Sequence, residues 1–284
     1  MSDLARLLEN LQVERLDKYL FAGKSPASPR RVFGGQVLAQ ALNAAIRTVD
    51  ESDRQAHSMH AYFLRPGDPS KQIIYEVDPI RDGRSFTTRR VVAKQEGRAI
   101  FNTSISFHVI EPGFNHQFDC PEAPHPEGLE SDKAFWARMA QEHPDRFEPL
   151  NSWAIDRRHV YRRDPIDPGN DLREPKHQVW MRALGELDDD PILHQTLLAY
   201  MSDMTLLGAS LNPHPITTRS DNLMFASLDH ALWFHQPFAA DTWMLYDQDS
   251  PVALSARGFM RGSFYSEDGK LIASVAQEAL IRPV

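Results

Sequence analysis

The chain carries one layout twice, and no other feature of the sequence constrains its folding more. Tyr62-Phe63-Leu64-Arg65-Pro66 precedes Ile73-Ile74-Tyr75 and then Gly97-Arg98-Ala99-Ile100. In the second half, Trp233-Phe234-His235-Gln236-Pro237 precedes Met244-Leu245-Tyr246 and then Gly269-Lys270-Leu271-Ile272. Pro66 and Pro237 lie 171 positions apart, as do Tyr75 and Tyr246, and Gly97 and Gly269 lie 172 apart. An offset held over three landmarks marks a duplicated unit. Each position in one half then has a counterpart, and a polar residue carried by one copy alone stands out.

Both halves read as one helix followed by strands. Gly34-Gly35 opens an Ala- and Leu-rich segment, Gln36 to Val49, whose polar residues Gln36, Gln40, Asn43 and Arg47 form one narrow helical stripe. β-rich runs follow at Ser58–Phe63, Gln72–Val77, Ser85–Lys94 and Ala99–Val109, with turns at Pro79, Asp82-Gly83 and Glu96-Gly97. Consecutive strands with short turns predict an antiparallel sheet packed on the helix. From Glu111 to about Pro175 eight prolines, Pro112 to Pro168 with Pro149 among them, mark a connector holding one short helix near Asp132–Gln141.

The second unit starts with a strand at Gln178–Arg182. Asp190-Pro191 then supplies an N-cap and a first-turn proline. The helix expected from Ile192 to about Leu207 is apolar nearly all round, so a surrounding sheet must bury it. Strands are expected at Leu223–Phe234, Thr242–Asp247, Ala253–Tyr265 and Leu271–Ile281. The predicted organisation is therefore an α+β chain with units at 1–112 and 176–284 and a connector at 113–175.

Composition excludes several classes. A net charge of -8 argues against nucleic acid as partner, although a local arginine cluster could still bind phosphate. The single cysteine, Cys120, allows no internal disulfide and fits a reducing compartment. No apolar run reaches the roughly 18 residues that a membrane span needs. Met1 to Leu16, with Asp3, Arg6, Glu9, Glu14 and Arg15 among its apolar positions, reads as an amphipathic helix rather than a signal peptide. The expectation is a cytoplasmic chain with no membrane insertion.

Two polar residues interrupt the buried architecture. Asp203 sits in the apolar helix, where an unpaired carboxylate would lose several kcal/mol of solvation and should therefore have partners or a raised pKa. Gln277 shares an inward strand face with Ala273, Val275, Ala279 and Ile281, whereas the 172-residue offset gives Ile105 in the first copy. The plainer alternatives are an Asp203 that reaches solvent and a Gln277 that serves only the strand end. Ser227 alone carries little information.

Phe33-Gly34-Gly35-Gln36-Val37, His57-Ser58-Met59-His60-Ala61-Tyr62-Phe63-Leu64-Arg65-Pro66-Gly67 and Arg81-Asp82-Gly83-Arg84-Ser85-Phe86 resemble the type II acyl-CoA thioesterases. Asp229-His230-Ala231-Leu232-Trp233-Phe234-His235 and Ser255-Ala256-Arg257-Gly258 extend the resemblance over nearly the whole chain. It implies a double hot-dog fold, two antiparallel sheets each wrapped around a long helix. It also implies hydrolysis of acyl-CoA to fatty acid and CoA, no cofactor, and a homo-oligomer, either dimer or tetramer. The family's Asp, Thr or Ser, and Gln set maps by motif onto Asp203, Ser227 (two residues before Asp229-His230) and Gln277. Serine at 227 keeps the hydroxyl but lacks the methyl that restricts χ1.

That set suits a thioester. The leaving thiol has a pKa near 8.5, so strong acid assistance at sulfur is unnecessary. Asp203 could act as base, with Ser227 and Gln277 fixing the water and no covalent intermediate. His57, His60, His230 and His235 match no zinc signature and are expected to make structural hydrogen bonds. His57, Arg84, Arg89 and Arg257 are candidates for substrate contact, the arginines for CoA phosphates. The alternatives are a non-catalytic acyl-CoA-binding module, a serine esterase, disfavoured because no G-x-S-x-G occurs, and a hot-dog dehydratase.

Overall fold

The computed structural model describes residues 1–28, 31–49, 53–148 and 153–284, so Pro149 of the proline-rich stretch lies outside the described residues. The first helix, α1 (Asp3–Leu11), is capped by Ser2, whose Oγ accepts from the Ala5 amide. A short hairpin, β1 (Glu14–Asp17) and β2 (Leu20–Gly23), leads to α2 (Gly34–Ile46) and to β3 (Arg54–Phe63), β4 (Ile73–Asp82), β5 (Phe86–Gln95) and β6 (Arg98–Val109). The connector folds into α3 (Asp132–Glu142) and β7 (Ile155–His159). Then come β8 (Lys176–Ala183), α4 (Pro191–Ser202), α5 (Leu206–Leu211), β9 (Leu223–Ser227) and β10 (Asp229–Phe234). The meander β11 (Met244–Leu254), β12 (Arg257–Ser266) and β13 (Leu271–Pro283) ends the chain.

Strand order is β1-β2-β4-β5-β6-β3-β10-β13-β12-β11-β8-β7, with β9 paired to β13. The pairs are antiparallel throughout, so the strands of both halves form one continuous sheet. The seam is β3 against β10, with His60 opposite Ala231. The duplication is visible in this order: β3, β6, β5 and β4 correspond to β10, β13, β12 and β11. Tyr75 and Tyr246 are fully buried at matching places. Tyr75 donates to Gln40 Oε1 at 2.6 Å, and Tyr246 donates to the Ser202 carbonyl at 2.8 Å.

α2 and α4 pack on one another beneath the sheet, and one apolar core runs through both halves. In the α2 stripe Gln36, Gln40 and Asn43 are buried and Arg47 is exposed, and all but Asn43, whose Oδ1 has no partner among the described residues, find hydrogen bonds. Gln36 and Gln40 both donate to the Lys24 carbonyl, at 3.0 and 2.9 Å, and Arg47 donates to that of Val13. These bonds tie the N-terminal segment to the helix.

Several elements depart from expectation. The helix read over Met1 to Leu16 ends at Leu11, and Glu14 to Leu16 enter β1; the connector adds strand β7 to the sheet edge; and the two expected sheets join into one. The single helix expected to Leu207 breaks after Ser202, because Thr205 adopts φ +63° and α5 restarts at Leu206. The strand expected over Leu223–Phe234 divides at Leu228, so that β9 pairs only with β13 while β10 also reaches β3. Among the described residues no helix is long and apolar enough to cross a membrane.

Candidate active site

Asp203 occupies the C-cap of α4, at the break rather than within the helix. Its carboxylate faces the N-terminus of α2, and the Gly35 N–H donates to it. Ser227, at the end of β9, donates from Oγ to Asp203 Oδ1 at 3.3 Å. Gln277, on the buried face of β13, donates from Nε2 to Ser227 Oγ at 3.2 Å and also hydrogen-bonds Asp203. The fold thus joins residues 74 positions apart in sequence, by bringing the α4 C-terminus against β9 and β13.

Loss of solvent around the carboxylate raises its pKa from 3.8 to about 6. Hydrogen bonds from Gly35, Ser227 and Gln277 and the charge of Arg31 pull it part of the way back. Asp203 remains partly accessible because it lines a cavity of about 1140 Å³, as do Ser227 and Gln277. Much of that wall is apolar, built by Phe33, Val37, Phe63, Leu207 and Phe225.

The cavity has a counterpart across the pseudo-twofold. Phe63-Leu64-Arg65-Pro66 line the large space, and Phe234-His235-Gln236-Pro237 line a second of about 370 Å³. The difference lies at the helix starts. α2 opens with Gly34-Gly35, while α4 presents His194 and Gln195 into the second space, where Gln195 donates to the Ala56 carbonyl at 2.8 Å. His57 lines this smaller cavity, with Nε2 2.8 Å from Ser106 Oγ.

Arg84, Arg89 and Arg257 lie outside the lining of the large cavity. Arg89 is buried against Asp82 and Thr48, and Arg257 pairs on the surface with Glu278 at 2.8 Å. Exposed arginines that do line it are Arg31, Arg65 and Arg219. The connector adds a charged cluster to the same wall. Asp132, 2% exposed, meets Arg157 at 2.7 Å, His159 at 3.2 Å and also Arg162. Burial opposes its ionisation, but the Arg157 charge, a hydrogen bond from His159 and the Arg162 charge hold its carboxyl well below the usual range. Sequence reading missed this cluster because the connector has no periodicity to follow. Among the described residues, no group of three or more His, Cys, Asp or Glu side chains could hold a metal ion.

Comparison with known proteins agrees with this geometry. Residues 23–108 match the family profile described as acyl-CoA thioesterase N-terminal domain, and residues 150–280 match the one described as acyl-CoA thioesterase. Acyl-CoA thioesterase 2 of Haemophilus influenzae is 40% identical over 99% of both chains. The crystal structure of an acyl-CoA thioesterase II from Mycobacterium marinum superposes with a TM-score of 0.80 at 38% identity, over 98% of each chain. A hot-dog-fold protein from Alicyclobacillus acidocaldarius, 18% identical, gives 0.78 over 98% of this chain and 99% of its own, which speaks for the fold alone. With full-length similarity at this level and both halves matched in order, the chain belongs to the type II acyl-CoA thioesterases.

Proposed function

We propose that the protein hydrolyses acyl-CoA thioesters to free fatty acid and CoA, using a water activated by Asp203, Ser227 and Gln277. The observation that carries this reading is the contact among those three groups on the wall of one largely apolar cavity. An acyl chain suits the apolar wall, and the exposed Arg31, Arg65 and Arg219 suit CoA phosphates. Arg84, Arg89 and Arg257 are less well placed for that contact. Asp203, with a pKa near 6, is ionised at neutral pH yet basic enough to take a proton from water. Ser227 and Gln277 would hold that water at attack distance from the thioester carbon. The tetrahedral intermediate then collapses by expelling CoA as a thiolate, and no acyl-enzyme forms. Ser227 has a carboxylate and an amide as partners rather than an imidazole, which favours this route over a serine nucleophile.

We read the architecture as two hot-dog units, 1–112 and 176–284, each curved around its helix and joined by the 113–175 connector. Thiol release from a panel of acyl-CoAs tests the activity. Hydrolysis by the wild type and a loss of about 10²–10⁴-fold in Asp203→Asn are expected. An Asn variant at near wild-type rate, or no hydrolysis by the wild type, overturns the reading.

A further inference from the structure

Gln277 can serve Asp203 and Ser227 only when its amide nitrogen faces them. A carboxamide is nearly symmetric in shape, so something must choose that orientation. His230, on β10 and 1% exposed, meets the other end of the amide: its Nδ1 lies 2.5 Å from Gln277 Oε1. Its Nε2 lies 2.9 Å from Ser202 Oγ, on the last residue of α4 and next to Asp203.

Burial lowers the His230 pKa to about 4, so the ring is neutral and carries one proton. If that proton sat on Nε2, the bare Nδ1 would confront the Gln277 carbonyl oxygen. Turning the amide over would relieve this, but would then point the oxygen at the Asp203 carboxylate. With Nδ1–H donating to Gln277 Oε1 the chain runs on in one sense: Gln277 Nε2–H donates to Ser227 Oγ, and Ser227 donates to Asp203 Oδ1. At the other side of the ring the Ser202 hydroxyl stands 2.9 Å from both His230 Nε2 and the Ala199 carbonyl, and its one proton is shared between these two acceptors.

The first half shows what the position holds when it has no such task. Met59 stands opposite Ile105 on β3 and β6, and both are fully buried. The 171- and 172-residue offsets map this pair onto His230 and Gln277. The second copy holds a buried imidazole–amide pair where the first holds a hydrocarbon pair, a choice that hydrophobic packing alone does not favour.

We propose that His230 is a positioning residue of the hydrolytic reaction: its Nδ1–H fixes the orientation of the Gln277 amide. The proposal rests on Gln277 belonging to the water-activating set. Asparagine at 230 places an amide N–H near Nδ1, whereas glutamine places one near Nε2 and leaves the Gln277 oxygen without a donor.

Steady-state thiol release should therefore show His230→Gln slowed by about tenfold to a hundredfold in kcat with KM little changed, and His230→Asn recovering most of that loss. The double variant His230→Gln with Gln277→Ala should be no slower than Gln277→Ala alone, since a residue acting through Gln277 has nothing left to position. Equal rates for the Asn and Gln variants, or losses that multiply in the double variant, overturn the assignment. A Gln277→Ala variant at wild-type rate removes the catalytic set and this proposal together. A slow Gln277→Ala beside unaffected His230 variants removes this proposal alone.

Discussion

A β-carbon built on Gly34 would stand 2.6 Å from Oδ2 of Asp203, so the first residue of α2 and the C-cap of α4 leave no room for even a methyl group between them. Gly34 has no left-handed backbone, and alanine at a helix start is conformationally acceptable. Gly34→Ala should therefore fold, push the carboxylate off Ser227 and lower kcat by on the order of tenfold to a hundredfold. Thermal melts beside thiol-release kinetics check this, and a variant that keeps its turnover contradicts it.

Asp203 should set the acid limb of activity. Because its pKa is raised to about 6, the base is ionised only above that point, so kcat/KM should rise with pH and level off above neutrality. The same shift makes a stability statement. The folded state holds this proton more tightly than the unfolded state, whose carboxylate titrates near 3.8, so wild-type stability is lost as pH rises from about 4 to 6. Asp203→Asn lacks that loss. Relative to wild type it should gain up to about 3 kcal/mol across the window and hold the gain above it. Denaturant melts from pH 4 to 8 measure the divergence.

Ser227 should tolerate threonine but not alanine. Ser227→Thr keeps the hydroxyl on a strand that accepts β-branched residues and should retain activity. Ser227→Ala removes a hydrogen bond that stabilises the Asp203 anion, so the acid limb of its pH–rate profile should shift to higher pH as turnover falls. Unshifted limbs would show that the hydroxyl does not bear on the carboxylate.

Asp132 should matter for stability more than for chemistry. Arg157 and Arg162 converge on it with His159, whose ring burial keeps neutral, from β7 and the loop that follows, and removing its charge leaves the two guanidinium groups without that counter-ion. Asp132→Asn should destabilise the protein by about 3–5 kcal/mol at neutral pH. Since the wild-type carboxyl titrates below its unfolded value, the gap should narrow as pH falls below about 4, where the unfolded carboxyl takes up its proton. Paired melts at pH 7 and pH 3 test both halves of the statement.

Much of this was legible in the sequence, for identifiable reasons. The 171-residue spacing of Tyr75 and Tyr246 survives folding because both rings fill the same place in equivalent sheets. Gln277 could be singled out because strand alternation fixes its face and Ile105 supplies the contrast. The helix break was not legible, since Asp203-Met204-Thr205 contains neither glycine nor proline. Thr205 is instead met by a tertiary bond, in which the Gln248 side chain donates to Thr205 Oγ1 at 2.7 Å. β7 was hidden by its charges, Arg157, Arg158 and His159, which reach Asp132 and Glu127 more than 20 residues away in the connector. Interactions of that kind leave no period in the sequence.

The β3–β10 seam has a consequence for how far the two copies can drift apart. All three reacting groups come from the later copy, yet Gly34, Gly35 and Phe63 of the earlier one close the space in which they meet. Cut at the seam, the later copy would keep its acid, alcohol and amide and lose the opposing half of their enclosure. The earlier copy carries none of the reacting groups and is still not dispensable: it serves as a built-in partner, joined to the later one through the same chain.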